Sequence, residues 1–310
     1  MKVGVTSRSF SKNIFLKSEL LKKYPDTKFN DDGKAFTRKT LIKFLSDCDK
    51  AITALETIDE SVLGSLPNLK VISKYGVGLD MINFEAMSKF KVKLGWQGGV
   101  NKRSVSELTL AAMISLRHKS IFANQEVRDK RWYQVKGNLL SESTIGIIGC
   151  GHIGKDLVKL LEPFGCRILS YDILDFAEFY EEYNIEPLDL EAVLRLSDIV
   201  TLHLPLDDKT YNILSKERLS MMKEGSILIN YARGGLVDEK ALRQMLLNKK
   251  ISGAALDVLT QEPPDSFKLA SLDNVFITPH IGGSSEESIK KMGLAAIEGL
   301  DQAKDPLSFL

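Results

Sequence analysis

Short apolar runs alternate along the chain with stretches in which apolar positions recur every three or four residues. That alternation is the signature of parallel α/β units. A first block covers residues 1–97, with strands expected at Val3–Thr6, Ala51–Leu55, Val71–Tyr75 and Lys91–Leu94 and helices such as Thr40–Leu45 and Phe84–Phe90 between them. A second block runs from Asn101 to Gly283. It opens on an amphipathic helix whose inward face is Val105, Leu108, Thr109, Ala112, Met113 and Leu116, with Asn101 as the expected N-cap. Strands are expected at Thr144–Ile148, Arg167–Tyr171, Ile199–Leu204, Ser226–Tyr231, Gly253–Leu256 and Val275–Thr278. They are apolar on both faces, as buried parallel strands are. Ser284-Ser285-Glu286-Glu287 reads as a capping box opening a last helix with Ile289, Met292, Ala296 and Leu300 on one face. The pattern predicts an α/β protein of two doubly wound parallel-sheet domains. The polar stretch Arg128–Ser143 carries Trp132 and Tyr133, and reads either as a subunit contact or as a loop packed on its own domain.

Composition narrows the class. The chain has 310 residues, 44% of them hydrophobic, enough for more than one core. With 42 basic and 41 acidic residues the net charge is +1, which gives no electrostatic case for nucleic acid or an anionic membrane. Three irregularly spaced cysteines, Cys48, Cys150 and Cys166, read as reduced thiols in a cytoplasmic protein, and no Cys/His spacing suggests a metal site. The N-terminal MKVGVTSRSF lacks an apolar secretory core, and no run approaches the ~18 apolar residues of a membrane helix.

The most specific chemistry sits in TIGIIGCGHIG, residues 144–154. An apolar run leads into Gly149-x-Gly151-x-x-Gly154, and a helical pattern follows. In a dinucleotide fingerprint the first glycine permits a tight turn, the second lets backbone approach a pyrophosphate, and the third lets helix and strand pack closely. The helix N-terminus then offers N–H groups to the phosphates. Asp172 closes the next apolar run, 23 residues after Gly149. A carboxylate there accepts ribose hydroxyls and repels a 2′-phosphate, so the expected cofactor is NAD.

Downstream, three strand ends carry titratable groups: Asn230–Gly235, Asp257–Pro264 and Thr278–Gly283. A 2-hydroxy acid dehydrogenase needs a guanidinium for the substrate carboxylate, an imidazole to exchange a proton with the hydroxyl, and a carboxylate to orient that imidazole. Arg233, His280 and Glu262 can fill these roles in turn. Each alone also reads as an ordinary surface charge, turn histidine or loop acid; their joint placement after a dinucleotide motif carries the functional reading. Tyr75-Gly76-Val77-Gly78 closes a first-domain strand, either as a simple glycine turn or as an anion-binding one. His203-Leu204-Pro205 ends another strand beside the expected cofactor groove. His118 and Cys48 read as structural, and Cys150 as a small filler in the glycine loop.

These segments, together with NKRSVSELTL at 101–110 and NYARGGLVDEKAL at 230–242, resemble the D-isomer-specific 2-hydroxyacid dehydrogenase family across nearly the whole chain. The resemblance implies a Rossmann NAD-binding domain over 101–283 and a flavodoxin-like substrate domain built from 1–100 and 284–310, with a cleft between. It implies Arg233 as carboxylate clamp, His280 as acid/base and Glu262 as its partner. Asp257 would meet the nicotinamide, and Tyr75, Gly76, Val77 and Gly78 the substrate. His152 and Ile153 would meet the pyrophosphate, and Leu204, Tyr231, Ala232 and Gly283 the cofactor groove. It further implies a homodimer through the NAD-binding domain. Some members of this fold act instead as NAD-sensing co-repressors with little turnover, which is the alternative. His152 stands where an Arg is common, and the acid at Glu56 argues against a phosphorylated substrate.

Overall fold

The computed structural model describes residues 1–309. The chain divides into two compact units, Met1–Asn101 with Ser285–Leu310, and Lys102–Ser284.

In the first unit β1 (Val3–Val5), β2 (Thr27–Phe29), β3 (Lys50–Thr53), β4 (Val71–Lys74) and β5 (Lys93–Gly95) form a five-stranded sheet in the order β2-β1-β3-β4-β5. All pairs are parallel, and the order is that of a flavodoxin-like sheet. β5 begins two residues later than its apolar pattern suggests. Lys91 has φ 56°, a left-handed turn geometry that a strand cannot contain. The helix Glu286–Gly299 returns the C-terminal chain to this sheet, where Ala296, Ile297 and Leu300 join Val3, Val5 and Ile52 in one core. The approach is close: a Cβ on Gly95 would stand 2.1 Å from the Gly299 carbonyl, and Ser73 Oγ donates to Ala296 O at 2.7 Å. The helix is capped by Ser285, whose side chain accepts from Ser288 N, so no Ser–Glu capping box forms. Glu286 and Glu287 instead stand in the first turn, where their negative charge complements the positive end of the helix dipole.

The second unit holds β6 (Thr144–Ile148), β7 (Arg167–Tyr171), β8 (Glu186–Pro187), β9 (Ile199–Leu202), β10 (Ser226–Asn230), β11 (Ile251–Leu256) and β12 (Val275–Ile277). Their order is β12-β11-β10-β9-β6-β7-β8, a parallel Rossmann sheet extended by one strand, with its direction of growth reversing between β6 and β9. Apolar clusters lie on both faces, one around Leu228, Ala254 and Leu242, the other around Ile147, Leu157 and Ala112. The helix Lys102–Arg117 supplies part of the second cluster. Asn101 precedes that helix, but its Oδ1 is buried without a hydrogen-bond partner and so does not cap it. The expected loop after Arg128 is ordered by Glu126. That carboxylate accepts from Arg131 Nε at 2.7 Å and from Tyr133 OH at 2.7 Å, which leaves Trp132 88% exposed.

Candidate active site

The glycine loop tests the dinucleotide reading residue by residue. Gly149 has φ 96°, and a Cβ there would stand 2.7 Å from the His203 carbonyl. Gly154 is pressed against the turn, since its Cβ would stand 2.3 Å from Gly149 O. Gly151 differs: nothing lies within 4 Å of its Cβ position. Sterics within the protein therefore demand glycine at 149 and 154, whereas open space at 151 suits the approach of a ligand. The helix His152–Leu161 starts immediately there, with no side-chain cap on its first N–H groups. Uncapped N–H groups over open space form a cradle for a pyrophosphate, and the residues present fit one. His152 and Ile153 occupy the first two helical positions.

Asp172 follows β7 directly and braces this loop. Its Oδ2 accepts from Cys150 N at 2.6 Å and its Oδ1 from Leu174 N at 2.9 Å. Each oxygen has a second lone-pair direction for a ribose hydroxyl. Ile173 and Leu174, exposed beside it, add an apolar shelf that the sequence pattern did not single out as functional. His203 turns inward. Its Nε2 lies 3.0 Å from Thr201 Oγ1, its Nδ1 is buried without a partner, and burial pulls the ring's pKa down to about 3. The imidazole is thus neutral and its carbonyl packs on Gly149, while half-buried Leu204 and exposed Pro205 continue along the same edge.

The catalytic candidates leave the carboxyl ends of three adjacent strands. Arg233 follows β10, Asp257 follows β11, and His280 follows β12. His280 Nδ1 is 2.7 Å from Glu262 Oε2, and both side chains are partly exposed, at 47% and 38%. The other Glu262 oxygen accepts from Leu259 N at 3.0 Å, which fixes the carboxylate in its loop. His280 has φ 54°, a left-handed conformation that costs a non-glycine residue about 1–3 kcal/mol. Asp257 holds it there. The backbone N–H of His280 donates to Asp257 O at 2.9 Å. The buried Asp257 carboxylate accepts from Thr278 Oγ1 at 2.5 Å, Ile281 N at 2.7 Å and Gly282 N at 2.6 Å. The family resemblance implies Asp257 beside the nicotinamide; in this structure both its oxygens accept from the loop that carries His280. Ser104 Oγ adds a bond to Gly282 O at 2.6 Å, and half-buried Gly283 leads out of the turn.

Asn230 plays a matching part for the arginine. Its Nδ2 donates to Arg233 O at 2.7 Å and its Oδ1 accepts from Ala232 N at 3.1 Å, folding the chain sharply after β10. Tyr231 and Ala232 are buried in that turn. Arg233 Nη1 donates to Ala232 O at 2.7 Å. An asparagine at a strand end, with two glycines four and five residues further on, is a turn signal that would have marked Asn230 as a positioning residue. Tyr75–Gly78 belongs to the first unit and follows β4, with Gly76 at φ 116° making the turn.

Sheet order and the groups along its edge place the chain among dinucleotide-binding oxidoreductases, and comparison with known proteins narrows the class. Residues 110–282 match the family description "D-isomer specific 2-hydroxyacid dehydrogenase, NAD binding domain". The chain is 36% identical over 266 residues to D-3-phosphoglycerate dehydrogenase of Methanocaldococcus jannaschii, covering 84% of this chain but only 51% of that protein's length. It is 33% identical over 264 residues to hydroxypyruvate reductase of Thermotoga maritima, covering 83% of this chain and 85% of the relative. Among solved structures, D-lactate dehydrogenase of Aquifex aeolicus, complexed with NAD and lactic acid, superposes with a TM-score of 0.85 at 27% identity, over 96% of this chain and 93% of that one. The chain belongs to the D-isomer-specific 2-hydroxyacid dehydrogenase family, and its cofactor is NAD.

Proposed function

We propose that the protein transfers a hydride between NAD(H) and C2 of a small D-2-hydroxy acid or the corresponding 2-oxo acid. The observation that carries the mechanism is the 2.7 Å contact between Glu262 and His280 Nδ1. A carboxylate on Nδ1 fixes the tautomer, stabilises the imidazolium and assigns Nε2 to the substrate oxygen. NAD, when bound, gives or takes the hydride. In the reductive direction His280 donates its proton to the C2 oxygen as the carbonyl becomes an alcohol, and it regains a proton from water. Arg233 holds the substrate carboxylate with two charge-assisted bonds. Its strand lies two places from that of His280, about 10 Å at ordinary strand spacing, within the span of one substrate and two side chains. The backbone N–H groups of Val77 and Gly78, in the glycine turn that follows β4 of the first unit, are proposed as donors to an anion.

NADH oxidation against a panel of 2-oxo acids tests this. His280→Ala is expected to lower kcat/KM by at least ~10²-fold, the usual worth of a general acid. Arg233→Ala is expected to cost roughly 10²-fold through the lost ion-paired hydrogen bonds. Unchanged rates in both variants would end the mechanism, and slow turnover on every acid in the wild type would favour an NAD-sensing role. The same proposal has the protein act as a homodimer through the NAD-binding unit, supported by the exposed Trp132, Tyr133 and Leu139 on the braced segment after Arg128. It also places the protein in the cytoplasm, supported by three unpaired cysteines. Among the described residues no helix is long and apolar enough to cross a membrane.

A further inference from the structure

The turn after β4 carries glycine at 76 and again at 78, and glycine leaves a backbone more conformations than any other residue. Such a turn needs contacts from outside to hold one shape. Its ends are tied: Tyr75 N donates to Thr53 O at 2.8 Å, and Ile82 N to Leu79 O at 2.9 Å. Between them the indole of Trp96 takes hold, with Nε1 donating to Val77 O at 3.1 Å. In a trans peptide the carbonyl and the following N–H share a plane and point opposite ways. A bond that pins the Val77 carbonyl therefore also aims the Gly78 N–H. Trp96 follows β5 directly and is half-buried. Its ring meets that of Phe309 edge-on, with centroids 5.6 Å apart and planes at 84°, a favoured geometry for an aromatic pair. Phe309 closes the 3-10 helix Pro306–Phe309. Just before that helix, Lys304 fixes the segment on the sheet by exchanging backbone hydrogen bonds of 2.9 and 3.0 Å with Leu94 of β5. Trp96, Phe309 and Leu79 pack against one apolar cluster that includes Ile72, Met87 and Leu94. All of these residues belong to the first unit.

We propose that Phe309 and Trp96 form a brace that sets the anion-accepting shape of the Tyr75–Gly78 turn. Both are positioning residues that act through the Val77 carbonyl. Trp96 supplies the bond, and Phe309 holds the indole plane at the angle the bond needs. This assignment rests on the reading of Val77 and Gly78 as anion donors made above.

Two measurements separate the brace from the anion. Hydrogen exchange reads the brace with no ligand present. Trp96→Phe keeps the aromatic pair and removes the indole N–H, whereas Phe309→Ala removes the ring behind it. Each is expected to speed exchange over Gly76–Leu79 roughly fivefold, the worth of one hydrogen bond, while β4 exchanges as before. Phe309→Tyr, which keeps the ring, is expected to match the wild type. Exchange unchanged in Trp96→Phe and Phe309→Ala, or faster throughout the first unit, overturns the brace. Titration with oxalate reads the anion. Trp96 and Trp132 are the two tryptophans of the chain, so Trp132→Phe leaves Trp96 as a single fluorescent reporter beside the turn. Its emission is expected to change to saturation, with the apparent Kd weakened roughly fivefold by adding Phe309→Ala. A saturating response whose Kd that change does not move overturns the proposed role of Phe309 and leaves the anion reading intact. Emission that ignores oxalate overturns the anion reading, and the role with it.

Discussion

At the scale of single residues, the three glycines of one motif have separable tasks. A Cβ at Gly151 meets no protein atom within 4 Å. Gly151→Ala is therefore expected to leave the Tm of the ligand-free protein unchanged and to weaken NAD binding by tenfold or more in a calorimetric titration. A lowered Tm would show that position 151 serves the fold instead. The glycine spacing, Asp172 and the Glu262–His280 pairing were legible in the sequence because each chemistry dictates a residue type at a strand end. The direction in which His203 and Asp257 point was not. Both sit where a ligand contact is expected, yet the imidazole turns its Nε2 to Thr201 with its Nδ1 buried, and the carboxylate accepts from three donors of the His280 loop. Side-chain direction at a strand end depends on which loop folds over it, and no local pattern encodes that.

At the scale of elements, the long buried strands and amphipathic helices could be read from periodicity, and the short edge elements could not. β2 is the three residues Thr-Lys-Phe and β8 is Glu-Pro, each at a sheet edge and too short to show alternation. The helices Arg8–Lys12 and Glu60–Gly64 are single turns in which a 3.6-residue period cannot be seen. The helix Ile14–Lys23 escaped because exposed Ile14 and Phe15 blur its apolar face. Gly154 belongs to this scale, since it governs how the helix His152–Leu161 seats on the turn after β6. With only 2.3 Å between its Cβ position and Gly149 O, Gly154→Ala must push the helix away from the turn. The expected result, opposite to that at 151, is a lower Tm in the absence of cofactor, read by calorimetry. An unchanged Tm would contradict the packing account.

At the scale of the whole molecule, assembly and chemistry make separate predictions. Tyr133 and Arg131 keep the Glu126 carboxyl deprotonated down to about pH 2, with the Arg131 bond the larger cause. Its folded value lies below the ordinary 4.5, so the tie's contribution is full above that value and is lost as pH falls through about 2. The segment carrying Trp132 therefore stays braced at physiological pH. If it is the dimer contact, Trp132→Ser is expected to shift the protein from dimer to monomer in sedimentation velocity at micromolar concentration. A wild type that sediments as a monomer would refute the assembly.

The central claim is hydride delivery to C2 with a proton from His280. It is tested most directly by supplying NADH deuterated at the transferring C4 position together with a 2-oxo acid substrate, and analysing the product. The account predicts a 2-hydroxy acid carrying deuterium at C2 in the D configuration, formed at least ~10²-fold more slowly by His280→Ala. Product without deuterium at C2, product of the L configuration, or an unaltered rate in that variant would contradict it.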